Sequence, residues 1–160
     1  MKRLLIGLLI VVSIVVIIEL LNKPTTNIEN IIINYIDTKI KHEGTTVIHL
    51  GSLFTEFDWD SVTIFEAGNA KQLSDNLGIY NEGTQGGIVF MNGETHVATY
   101  MSAYTPFEHL QPKLEFCICY NHSANNIYYE TMNKHDSYVF AIKTRNPGSN
   151  IYRYIVCVRI

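Results

Sequence analysis

The sequence predicts an α+β fold: an N-terminal membrane helix, then an antiparallel sheet of about six to eight strands packed by one longer and one short helix. Three observations lead there. Residues 4–21 are almost wholly apolar, isoleucines recur at helical spacing through residues 28–40, and the rest alternates short β-branched or aromatic runs with Gly, Asn and Pro. A chain of 160 residues, 47% hydrophobic and 17% charged, suits one ordinary globular domain plus one membrane-type segment. The predicted organisation is a signal anchor over residues 1–23 and a single extracytoplasmic α+β domain over residues 24–160.

At the N-terminus, Lys2 and Arg3 precede an apolar run interrupted only by Gly7 and Ser13, and Asn22, Lys23 and Pro24 follow it. Basic and then apolar is the layout of an export signal. No small-x-small cleavage site and no lipoprotein cysteine follows, so an uncleaved anchor is expected, with cleavage and secretion as the alternative. Residues 4–21 make 18 positions, at the short end of what a membrane helix needs. With the basic end inside, the domain would stand outside the cytoplasm. The expected location is the cell membrane, single-pass.

The elements follow in order. Thr26 and Glu29 match an S/T-x-x-E capping box ahead of a helix. Its apolar face holds Ile28, Ile31, Ile32, Tyr35, Ile36 and Ile40, and Gly44 suits its end. Residues 45–50 read as a first strand and residues 62–65 as a buried one. Asn69 would cap the short helix, residues 70–77, closed by Gly78. Residues 83–87 read as a glycine loop without the lysine and helix of a phosphate loop. Asn92-Gly93 between residues 88–91 and 94–100 signals a hairpin with a type I′ turn. Residues 114–120, 127–131, 138–143 and 151–159 complete the strands.

Composition removes several functions. A net charge of −3 argues against nucleic-acid binding. The six histidines show no i, i+4 pair and no H-E-x-x-H, and there is no C-x-x-C, so no metal or cofactor is expected. His49 and His96 fall in predicted strands that could meet. Cys117, Cys119 and Cys157 read as small buried apolar residues, although Cys157 could pair with either of the others across neighbouring strands. No G-x-S-x-G elbow is present. The tyrosines at 120, 128, 129, 138, 152 and 154 suit either an interface or a sheet core.

The densest constellation is Glu56, Asp58, Trp59 and Asp60. Acids take even positions and aromatics odd ones until residue 60, after which Val62 and Ile64 are apolar at even positions. A period of two cannot slip inside a regular strand, so a bulge or turn is expected near Asp60-Ser61. These four residues would form a binding site, with Trp59 as platform beside carboxylates for a sugar, a cationic peptide or a divalent ion. The reading the residues favour over that one is that Phe57 and Trp59 plug the core while the aspartates cap backbone N–H groups in the bulge. A cell-envelope hydrolase would need two of the carboxylates about 5–9 Å apart along a cleft, one of them with a raised pKa.

Residues 57–65, Phe-Asp-Trp-Asp running into Ser-Val-Thr-Ile-Phe, with Leu77-Gly78-Ile79 and residues 88–93 behind them, resemble a family. It is the uncharacterised Gram-positive membrane-anchored or lipoprotein-like domains with a Phe-Asp-Trp-Asp motif. The resemblance covers about residues 53–100. That family's Pro-Tyr pair after the strand is replaced here by Glu66-Ala67-Gly68-Asn69, so no site is carried over there. The resemblance implies location and fold, with no activity attached. The expected function is an uncharacterised membrane-anchored extracytoplasmic binding or interaction domain, in toxin protection or cell-envelope contact. Its partners would be the membrane, through residues 4–21, and a protein or envelope component. The alternatives are the hydrolase and a structural subunit of a membrane complex.

Overall fold

The computed structural model describes residues 27–66, 78, 84–103, 113–119, 129–146 and 148–159. The expected anchor and the expected helix at residues 70–77 lie outside them. Among the described residues no helix is long and apolar enough to cross a membrane.

Helix α1 (Ile28–Lys39) opens the described chain and buries Ile28, Ile32 and Ile36, the helical stripe read from the sequence. Its cap is Asn27, whose side chain accepts from the Asn30 N–H at 3.0 Å; Thr26, the cap expected from the sequence, lies outside the described residues. It ends at Lys39, well before Gly44. Ile40 turns to an extended conformation and swings its own side chain into the core. Gly44 instead begins the first strand.

Among the described residues eight strands follow: β1 (Gly44–His49), β2 (Ser61–Glu66), β3 (Thr84–Asn92), β4 (Thr95–Ala103), β5 (Lys113–Cys119), β6 (Tyr129–Asn133), β7 (Tyr138–Arg145) and β8 (Tyr152–Arg159). The short described helix, α2 (Leu50–Leu53), directly follows β1, and a 3-10 turn (Lys134–Asp136) joins β6 to β7. The α+β class holds, but the strands form two sheets of four instead of one. Their orders are β1-β7-β8-β5 and β4-β3-β2-β6. Nor is the pairing wholly antiparallel, because β5 runs parallel to β8.

The two sheets and α1 enclose one core. Ile48, Val139, Ala141, Val156, Leu114 and Phe116 contribute from the first sheet, and Val62, Ile64, Ile88 and Phe90 from the second. The sheets meet along β5, where the Ile118 N–H donates to the Glu66 carboxylate at 3.2 Å. Gly86 makes that approach possible. It sits at φ 141°, and a Cβ there would meet the Phe116 carbonyl of β5 at 3.3 Å, as well as the Phe65 carbonyl of its own sheet at 2.8 Å. Residues 84–87, expected as a loop, are therefore part of β3 around a bulge. Phe65 lies over the side-chain-free Gly87, its directly paired neighbour, and with Val89 forms a small second cluster on the far face. The hairpin forms as expected, but its loop is Gly93-Glu94, with Asn92 paired to Thr95. Gly93 alone takes positive φ there, at 58°, so the turn does not need Asn92 in that region.

Candidate functional site

Trp59 is a core residue. Its ring is 3% exposed, meets Phe90 edge-on at 4.9 Å, and its Nε1–H donates to the Phe54 carbonyl at 2.8 Å. The Lys134 ammonium lies 5.1 Å from the ring centroid, a cation–π contact on the indole. Phe57 packs at the margin of the same aromatic group, edge-on to Phe90 at 5.3 Å. An enclosed indole offers no open platform to a sugar.

Asp60 is a backbone organiser. One carboxylate oxygen accepts from the Gly93 N–H at 2.7 Å and the other from the Ser61 hydroxyl at 2.9 Å. Its own N–H donates to the Met91 carbonyl, and its carbonyl accepts from the Lys134 N–H. The residue thus stitches the start of β2 to the β3–β4 hairpin on one side and the 3-10 turn on the other. The phase slip read from the sequence is this junction. The Gly93 N–H, with Ser61 second, holds the Asp60 carboxyl below the usual carboxylate range. An ionised acceptor of that kind is the opposite of the protonated acid a hydrolase needs. Glu56 and Asp58 are both exposed to solvent.

The more distinctive surface is elsewhere. On β7, Tyr138, Phe140 and Ile142 share one face, and Val139, Ala141 and Lys143 the other. Hydrophobicity alone would bury the first set, yet Val139 and Ala141 are fully buried and Phe140 is 44% exposed. Lys143 decides this. Its ammonium pairs with Asp37 at 2.6 Å, donates to the Ile40 carbonyl at 3.1 Å, and lies over the Tyr152 ring at 4.3 Å. The helix end supplies what a buried ammonium requires. Tyr154 joins by donating to Asp37, and burial pushes its phenol far up, with Asp37 adding to the effect.

Facing outward from the same sheet, Val47 stands opposite Phe140 and His49 opposite Tyr138. Val47 is 49% and Tyr138 57% exposed. His49 stacks on Tyr138 at 4.4 Å, with one ring nitrogen 2.7 Å from the Ser52 hydroxyl and the other 3.2 Å from the His135 carbonyl. His49 and His96 fall in different sheets and do not pair. The row through Val47 and Phe140 continues to Cys157 and then Cys117, directly paired across β7, β8 and β5. Those two cysteines form a disulfide with Cα atoms 4.8 Å apart, the cross-strand pairing of Cys157 given as the alternative to three small buried apolar cysteines. Of the tyrosines singled out from sequence, Tyr154 is core, Tyr129 and Tyr152 are half-buried, and Tyr138 alone is exposed among those described. Tyr120 and Tyr128 lie outside the described residues. The sequence signal for this face is the strand with two apolar faces and a lysine on one of them.

Comparison of the chain with protein-family models, curated proteins and solved structures finds no match to any of them.

Proposed function

We propose that this domain is a non-catalytic interaction module, held at the outer face of a membrane by residues 4–21. Its contact surface is the outer face of β1 and β7. The observation that carries the reading is the adjacency of Val47, Tyr138 and Phe140, three large apolar side chains left open on one sheet face. Grouped exposed apolar residues, especially aromatic ones, mark contact surfaces, because their desolvation is what a partner supplies. The partner class is a protein with an apolar patch of its own, in protection against a secreted toxin or in cell-envelope contact. The Cys117–Cys157 disulfide supports a location outside the cytoplasm, where such bridges persist. The basic and then apolar N-terminus supports an anchor, and the Phe-Asp-Trp-Asp resemblance belongs to the same proposal.

The test is capture of partners from gently solubilised membranes of the host, using three folded baits: the natural chain, Val47→Asp/Phe140→Asp, and Glu56→Ala/Asp58→Ala. A stoichiometric partner lost only from the second bait is expected. Loss from the third alone would move the site to the acidic stretch beside Trp59. A partner retained by all three would rule out both surfaces.

A further inference from the structure

The outer face of the β1-β7-β8-β5 sheet carries a second constellation, none of whose residues belongs to the proposed contact surface. Cys117 and Cys157 bridge β5 and β8 at directly paired positions. Two residues beyond Cys117, on the same face of β5, stands Cys119, a free and exposed cysteine. Its sulfur lies 3.8 Å from that of Cys117, and the three sulfurs all fall within 4.8 Å of one another. Exposure grades across the trio from Cys119 outward, through half-buried Cys117, to buried Cys157.

We propose that these cysteines form a thiol–disulfide exchange site, with Cys119 as the attacking thiol and an accessible external thiol as its substrate class. Exchange needs a thiolate in contact with a disulfide sulfur and a route for the products to reach a partner. Contact is provided by the 3.8 Å approach, and the route by the exposure of Cys119. In the first step deprotonated Cys119 Sγ bonds to Cys117 Sγ, while the Cys117–Cys157 bond breaks and its electron pair leaves on Cys157 Sγ. The proton released by Cys119 to water is regained by Cys157, so the number of disulfides is unchanged and no oxidant is consumed. The new bridge joins residues i and i+2 of one strand, whose Cα atoms in extended chain stand about 6.6 Å apart, near the outer limit for a disulfide. That makes it the isomer more open to attack. An external thiolate then bonds to the exposed Cys119 sulfur and expels Cys117 as a thiolate. A second external thiol releases Cys119, leaving one external disulfide formed and one protein disulfide reduced.

The test uses the full chain purified without reductant. It is held at mildly alkaline pH, quenched with a maleimide and mapped by mass spectrometry, in parallel with Cys119→Ser. Cys119 is a solvent-exposed position, so the serine variant keeps the fold. In the natural chain the label is expected on Cys119 and, in a fraction of molecules, on Cys157. Reduction of the bridge by glutathione is expected to be about tenfold slower in Cys119→Ser, which has no internal nucleophile to relay the bond. Label confined to Cys119 together with equal reduction rates would overturn the proposal. So would a natural chain whose three cysteines are all unbridged, or which holds a thiophilic metal ion on all three sulfurs.

Discussion

Asp60 holds three pieces of backbone in place at once, through its carboxylate, its N–H and its carbonyl. Because hydrogen bonds to the ionised form lower its pKa on folding, the sign of the linkage follows directly. The stabilisation is complete above the unfolded carboxylate pKa and is lost as pH falls through the lower folded value. Asp60→Asn should therefore be less stable than the natural chain at neutral pH. The gap should close as pH drops below about 4, which denaturant melts across pH will read. For Trp59, replacement by Ala should cost about 3–5 kcal/mol by opening a cavity against Phe90. Replacement by Phe should cost about 1–3 kcal/mol, since the Phe54 carbonyl then loses its donor. Thermal or denaturant melts of the two variants check both. The junction itself was legible: an alternation that changes phase at Asp60-Ser61 must break there. Alternation does not show whether an indole between two aspartates points inward, because Phe57 and Trp59 have the same parity in either case.

The helix α1 and the strand β7 explain each other. Lys143 turns inward because the end of α1 brings Asp37 and the Ile40 carbonyl to meet its ammonium, and this sets the face that β7 presents to the core. At its other end α1 places Glu29 beside Tyr100 on β4, so a single helix is tied to both sheets. Asp37 is 42% exposed, which weakens the pair relative to a fully buried one. Lys143→Ala should cost about 1–3 kcal/mol in a denaturant titration, and Lys143→Met less, since it keeps the packing over Tyr152 and removes the buried charge. The positions of α1 and of most strands were legible, because apolar period and turn residues are local signals, but the start of β3 at Thr84 and the short helix α2 were not. The face of β7 was not, since it depends on a lysine meeting a carbonyl 103 residues away. The two-residue loop of the hairpin lies one residue later than expected, for a similar reason. Asn92 is drawn into pairing with Thr95 by the bulge around Val97, which sequence spacing does not reveal.

At the scale of the whole molecule, the eight strands among the described residues were foreseeable, but their division into two sheets was not. Periodicity reports which residues alternate, and says nothing of which edge pairs with which. The pairing of β5 with β8 brings together residues far apart in sequence, and with them the bridge between Cys117 and Cys157. The same topology leaves the outer face of β1 and β7 open and apolar, while on the other sheet Phe65 and Val89 pack with Met91, Met101 and Tyr129. That asymmetry is the basis for placing the interaction surface on the first sheet. The most direct measurement is site-specific photo-crosslinking in intact host cells, with the reactive side chain at position 140 and, as control, at the exposed position 99 on β4. A discrete adduct with one protein from position 140 and none from position 99 is expected. Adducts from position 99 alone, or none from either position, would contradict the placement.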